Sequence, residues 1–355
     1  MALAIGQTLR GPRGAYKLVE SLKAPSVFKA KVLPDSSINQ SWVVIKTYSN
    51  DNEKLTISRE HTLFKNPHIV SSPYFRTCHD FIGQWEALPA AGSSTESSPC
   101  LVLQWMDSNL SSIPYQTLRA KPHVIRAVAK SILSALQLLT EKFKAVHTGK
   151  NIVRSSLLEW ANKENEDINP HNVLVTDIDT TQPVGSLGDL GNVVFEGFDQ
   201  IRAQSLATRA PEVWLGQGCW HSSDVWALGV TLVHSLMPAT LFGIRDKMVE
   251  GLNDAWCIAK IARLIGPIQS SLAKEKYEED FFVAEELAYK TFDHPDTGIK
   301  TDYIHVGSMR EELTKAPGPN LPPQLIDFIE SLLIIDHSKR PTAKDALNHP
   351  FLQQA

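Results

Sequence analysis

No pair of cysteines in this chain has the spacing of a metal or redox site. The four cysteines stand at 78, 100, 219 and 257, which indicates neither a zinc ligand set nor a disulfide framework. A reducing compartment, cytoplasmic or nuclear, is the expectation. Charge of one sign is not in excess either: the formal net charge is −4, which gives no footprint for nucleic acid and no acidic tail. Long apolar runs are missing as well. The longest, 225–238, contains His234 and falls short of a bilayer span. The opening stretch MALAIGQTLRGPRGAYK has too few apolar residues for a secretory leader. The chain is therefore expected to be soluble, intracellular and monomeric, with neither a membrane nor a nucleic acid as partner.

What remains is the composition of an ordinary globular enzyme, 43% hydrophobic and 21% charged over 355 residues. That length is too great for one small core and suits two packed lobes. Residues 1–15 read as an unstructured, flexible lead-in. Strand patterns follow at 16–32 with a break at Lys23-Ala24-Pro25-Ser26, at 41–48, at 75–81 and at 101–105. Residues 53–66 read as a helix, and 89–99 as a loop of small polar residues. After Met106 helices dominate, with apolar residues at three- and four-residue spacing over 124–143, 224–236 and 323–335. A strand-rich first third and a helical remainder give an α+β organisation, with a boundary near 106.

Several residues carry chemistry. Val43-Val44-Ile45-Lys46 ends an apolar strand on a lysine. Such a lysine is usually just solvated, but it can also meet phosphate oxygens, and Glu60 in the following helix can hold it in place. Asp167-Ile168-Asn169-Pro170-His171-Asn172 precedes the apolar Val173-Leu174-Val175, and Asp189-Leu190-Gly191 comes after a second short segment. Singly, these residues are common turn formers. In this order they supply oxygen ligands for magnesium-bound phosphates and an aspartate able to accept a hydroxyl proton.

At this point a resemblance becomes specific. VVIK is similar to the lysine strand of eukaryotic protein kinases, DxxxxN to their catalytic loop and DLG to their metal-binding DFG. Further on, Thr208-Arg209-Ala210-Pro211-Glu212, Asp224-Val225-Trp226-Ala227-Leu228-Gly229 and Arg340-Pro341-Thr342-Ala343 resemble the later motifs of the same superfamily, in the same order. The pair His147-Thr148 and the string Asp189-Leu190-Gly191-Asn192 look like the HTD and DLGN of SR-protein kinases. WCIAKIARLIGPI (256–268) resembles the extra helical segment of the CMGC group. The chain looks like a short, spacer-less relative of fungal type.

The resemblance implies a two-lobed protein kinase fold around a nucleotide cleft. The N-lobe, 16–106, is an antiparallel β-sheet plus one helix, and the C-lobe, 107–353, is mainly α-helical. It further implies an ATP- and Mg2+-dependent Ser/Thr kinase acting on protein substrates, with Arg/Ser-rich proteins the substrate class of that branch. By the same carry-over, Lys46 would bind the α- and β-phosphates and pair with Glu60. Asp167 would orient and deprotonate the substrate hydroxyl, and Asn172 and Asp189 would bind Mg2+. Ser205 would fill the Ser/Thr position of the substrate loop. Val27 would cover the adenine, Leu103 would be the gatekeeper, and Gln104, Trp105 and Met106 the hinge. Glu212 and Arg340 would form a buried ion pair, and Asp224 would brace the catalytic loop.

Three departures stand against the pattern. The phosphate-covering loop, 22–28, has no glycine, and Pro25 removes one backbone donor. Asn169 stands where these kinases carry a catalytic-loop lysine, so it can hydrogen-bond but brings no charge. Residues 149–166 separate His147-Thr148 from Asp167, which are adjacent in the family. Two readings of that insertion stay open, a surface loop and a retained intron. For the latter, Gly149-Lys150 can be encoded with a GTAAG donor and Glu166-Asp167 with an AG acceptor, and excision restores an aspartate codon. These departures keep a pseudokinase, a binding or scaffold module, open as the alternative function. The threonine after His147 replaces an arginine that usually meets an activation-loop phosphate, which implies activity independent of loop phosphorylation.

Overall fold

The computed structural model describes residues 3–85, 98–147, 170–293 and 297–354. They fall into two compact units, the first holding the chain up to Asp107 together with Leu187–Asn192, and the second most of the remainder.

The first unit is built on one antiparallel sheet of β1 (Thr8–Gly11), β2 (Gly14–Lys23), β3 (Val27–Val32), β4 (Trp42–Lys46), β5 (Cys78–Ile82) and β6 (Cys100–Gln104), in the order β1-β2-β3-β4-β6-β5. The break expected at 23–26 is the β2–β3 turn. Residues 1–15, expected to be unstructured, instead supply β1 and the start of β2. The cause is burial: Leu3 and Leu9 pack into the sheet core beside Tyr16, Leu18 and Ile45, worth about 1.5–3 kcal/mol for each large apolar side chain removed from water. The β1–β2 turn is also tied down. Arg13 donates its N–H, and Tyr16 its hydroxyl, to Asp80 Oδ2, both at 2.8 Å. Gly11 is needed there because a Cβ would stand 2.5 Å from that same oxygen. The strand expected over 75–81 begins later, at Cys78. Tyr74 and Arg76 instead turn aside to bond the backbone of Leu187 at 2.8 and 3.0 Å.

Helix α1 (Asp51–Phe64) starts two residues before its expected position. Asn50 caps it, accepting from the N–H of Glu53, and Asp51 and Glu53 complement the positive end of the helix. A one-turn helix, α2 (Pro67–Val70), follows.

The second unit is mainly helical. A short sheet orders β10 (Val184–Leu187), β9 (Val173–Thr176) and β7 (Ser108–Asn109), and a two-stranded ribbon joins β8 (Ala145–His147) to β11 (Val193–Phe195). Helix α3 (Tyr115–Ala120) leads into α4 (Pro122–Leu138), whose apolar face is buried throughout and whose last turn, Leu139–Phe143, widens to π geometry. Between β11 and α6 (His221–Ser235) lies a single turn, α5 (Pro211–Trp214); α7 (Asn253–Leu264), α8 (Glu278–Tyr289), α9 (Met309–Lys315) and α10 (Pro323–Leu332) complete the larger helices. Arg119 is fully buried and spans three chain segments, donating to the carbonyls of Leu236, Leu313, Ala316 and Pro319 at 2.8–3.4 Å. The C-terminal ends of α6 and α9 are thereby satisfied by one guanidinium. Among the described residues no helix is long and apolar enough to cross a membrane.

Candidate active site

The first unit brings three of the expected residues into one cluster. Lys46 ends β4, and its Nζ lies 2.7 Å from Glu60 Oε2 on α1 and 2.7 Å from Asp189 Oδ1. Glu60 is 1% exposed, while Lys46 and Asp189 keep 20% and 15% of their side-chain surface open. Burial works against the ammonium, but the Asp189 and Glu60 carboxylates outweigh it and hold the Lys46 pKa above its ordinary value. For Glu60 the balance tips the other way. Burial raises its carboxyl above the usual range, against the pull of Lys46 and, more weakly, Arg76.

Asp189 is held in place from the chain itself. Its backbone is left-handed, φ +54°, a conformation that aspartate tolerates better than most residues. Its second oxygen, Oδ2, accepts from Asn192 Nδ2 at 3.2 Å. Leu190–Asn192 forms a 3-10 turn pressed onto α1. At Gly191 an added Cβ would lie 2.6 Å from the carbonyl oxygen of Thr56, so only glycine allows this approach. Gly191→Ala is expected to push the turn off α1, at about 1–3 kcal/mol, and to loosen the Lys46–Asp189 contact. Thermal denaturation together with transfer assays reads both effects, and a variant as stable and as active as the parent would contradict the packing argument.

The β2–β3 turn, where the phosphate-covering loop was expected, is short and pinned. Ser26 N–H closes onto Lys23 O at 2.9 Å, and Ser26 O accepts from Thr47 N–H at 2.8 Å. Ser26 Oγ reaches Glu53 of α1 at 3.3 Å, and Glu53 also accepts from Ser49. Val27 stands directly opposite Lys46 in the β3–β4 ladder.

Leu103 is buried on β6, opposite Val44 on one side and Cys78 on the other. Gln104 donates its N–H to Thr77 O at 2.8 Å, and its carbonyl accepts from Arg76 Nε at 2.8 Å. Met106 is buried, and the Trp105 ring carries Lys29 Nζ 4.1 Å from its centroid. Arg76 and Asn192 are the two site residues not assigned roles from the sequence. The asparagine had a signal, as the fourth residue of the DLGN string. Arg76 had none beyond a lone cation in the segment Tyr74-Phe75-Arg76-Thr77.

In the second unit Asn172 is buried at the start of β9. His147 is fully buried, and its backbone N–H donates to Asp224 Oδ2 at 2.8 Å, so α6 braces the chain at the last described residue before the insertion. Ser205 Oγ lies 3.1 Å from the buried Thr208 Oγ1. Glu212 and Arg340 meet in a doubly bonded, fully buried pair, Nη1–Oε1 at 2.8 Å and Nη2–Oε2 at 2.9 Å. Ser223 Oγ adds a third bond to Glu212 at 2.6 Å, and Arg340 also donates to Ser222 O and Ile334 O. Asp167, Asn169 and the 149–166 insertion lie outside the described residues.

Comparisons with known proteins bear on the family to which the chain belongs. The protein kinase domain profile matches residues 165–352, just over half of the chain, beginning two residues ahead of Asp167. Dual specificity protein kinase lkh1 of Schizosaccharomyces pombe is 26% identical over 172 residues, 47% of this chain and 23% of the relative. Serine/threonine-protein kinase AFC2 of Arabidopsis thaliana is 29% identical over 174 residues, 46% of this chain and 37% of the relative. The MAPK/MAK/MRK overlapping kinase of Mus musculus is 26% identical over 263 residues, 72% of this chain and 50% of the relative. The chain thus spans half or less of the length of each of these relatives. With the protein kinase profile running from just before Asp167 to beyond Arg340, and these similarities to CMGC-type kinases, the chain belongs to the protein kinase domain family.

Proposed function

We propose that this chain transfers the γ-phosphoryl of ATP to serine or threonine hydroxyls of protein substrates, in the presence of Mg2+. The observation that carries the reading is Lys46, bonded at 2.7 Å to both Glu60 and Asp189. A lysine so fixed presents a positive charge at a set place, and phosphoryl transfer depends on positioning and charge stabilisation more than on covalent chemistry.

The donor chemistry fits a hard divalent cation. Asp189 offers a carboxylate oriented by Asn192, and Asn172 an amide oxygen, the ligand type magnesium takes. Asp189 and Asn172 would hold Mg2+, which when bound neutralises charge on the phosphates. Lys46 would meet the α- and β-phosphates, and Asp167 would accept the proton of the attacking hydroxyl. Proteins rich in Arg/Ser dipeptides are the substrate class the branch resemblance favours.

The test uses the full chain. Mg-ATP is expected to raise its melting temperature, and labelled phosphate is expected to pass from ATP to an Arg/Ser peptide. Asp167→Ala should lower transfer by roughly 10²–10⁴-fold while leaving the nucleotide-dependent thermal shift in place. A protein that binds nucleotide yet transfers nothing, with or without residues 149–166, would remove the enzyme reading and leave a binding module.

A further inference from the structure

Arg76 has no part in the mechanism just described, yet it sits against the hinge segment 104–106, which by the family resemblance would receive the adenine. Its Nε donates to the main-chain oxygen of Gln104 at 2.8 Å. Among the described residues that is the one hydrogen bond its guanidinium makes, so both terminal NH2 groups remain available as donors. Gln104 makes two further bonds, both to Thr77. Its N–H is spent on Thr77 O, and its side-chain Oε1 accepts from Thr77 N–H at 3.3 Å. Burial pushes Arg76 down to about 10, against the pull of Glu60, Cys78 and Asp189. At neutral pH it is therefore still a cation, with five N–H donors and no acceptor.

The chemical consequence concerns the base. Adenine carries an amino donor at position 6, and guanine an oxo acceptor. An amino group approaching Gln104 meets a carbonyl that already holds a charge-assisted donor, with two more N–H donors beside it. An oxo group meets those donors as partners. Donor facing donor leaves a desolvated polar group unpaired, which is the larger effect in discriminating ligands of equal shape.

We propose that Arg76 determines the base preference of the nucleotide site, weakening selection for adenine and admitting 6-oxopurine triphosphates as phosphoryl donors. This rests on the reading that residues 104–106 receive the base. It makes Arg76 a specificity residue of the segment that leads into β5, bonded to Gln104 and within the electrostatic reach of Glu60 and Asp189.

The experiment measures dissociation constants of Mg-ATP, Mg-GTP and Mg-ITP for the full chain by calorimetry. The expected result is ATP and GTP within about tenfold of each other, a difference no larger than one hydrogen bond. ITP, which has the oxo group without the 2-amino group of guanine, should bind like GTP. Arg76→Met keeps length and removes every donor, and it should swing the ratio toward ATP by about tenfold or more. Should that variant fail to fold, Arg76→Gln, with one donor and one acceptor in place of the cation, should move the ratio in the same direction. The proposal is overturned if the parent chain prefers ATP by roughly 100-fold or more. It also fails if GTP binds and ITP does not, or if the ratio is unchanged in the variant. If no nucleotide binds at all, the function proposed above fails first, an outcome distinct from ATP binding with an unaltered ratio.

Discussion

Lys46→Met is expected to lower phosphoryl transfer by at least roughly 10²–10³-fold, the usual effect of removing one preorganised charge from a water-poor site. It should also destabilise the first unit. Glu60 is 1% exposed and would lose its nearest cation, and breaking a buried pair by removing one partner costs about 3–5 kcal/mol. Part of that cost is relieved by protonation, because burial already holds the Glu60 carboxyl above its ordinary range. The sign follows from linkage. A carboxyl whose folded pKa lies above its unfolded value takes up a proton on folding, so stability is fullest at low pH and declines as pH rises through the folded pKa. Lys46→Met should therefore lose more stability relative to the parent at pH 8 than at pH 5. Adding Glu60→Leu should restore stability and not activity. A double variant no more stable than Lys46→Met would contradict the buried-charge account.

The second large effect lies in the other unit. Arg340→Met leaves Glu212 buried with, among the described residues, only Ser223 as a side-chain partner, and is expected to cost about 3–5 kcal/mol. For a unit of this size that is a fall in melting temperature on the order of 10 °C. The partner change, Glu212→Gln, keeps shape and one acceptor, but it leaves Arg340 charged and half-satisfied and should cost nearly as much. Glu212 also sets a pH dependence. Burial pushes its carboxyl up, but the Arg340 charge and the hydrogen bonds from Arg340 and Ser223 outweigh it and hold the pKa below the ordinary 4.5. The stability this gives is present above 4.5 and is lost as pH falls through the lower folded value. In Arg340→Met that acid-side loss should disappear, which acid titration of the melting temperature reads directly.

Part of this was legible in one dimension. A lysine closing an apolar strand and a glutamate fourteen residues on, one helical segment later, are local patterns, and the structure brings the two together. The Glu212–Arg340 pair joins residues far apart in the chain, so no period or spacing marks it; only the likeness of two separate motifs to one family does. β1 escaped notice because Thr8–Gly11 is short and mostly polar at its surface. Its order comes from Leu3 and Leu9 entering a core assembled by strands further on, and from Asp80 reaching back to Arg13. Arg76 escaped for a related reason. A guanidinium reaches far enough to bond a carbonyl on another strand, and its sequence neighbours say nothing about where it goes. Charge partners and edge strands are properties of the packed chain, whereas the strand and helix periods that locate the main elements are written locally.

The pinned turn at 23–26 has a kinetic and thermodynamic corollary. A glycine-rich flap is ordered by its ligand, and each residue so immobilised costs about 1–2 kcal/mol of backbone entropy at the moment of binding. Here the turn is fastened to Thr47 and to Glu53 of α1 by the chain's own groups, so that penalty belongs to folding. An incoming nucleotide finds a preformed wall, and its departure need not wait for this turn to lift. Displacing the turn breaks its bond to α1, the helix that carries Glu60. On nucleotide binding, hairpin and helix are therefore expected to shift together, rather than the turn closing alone as a lid.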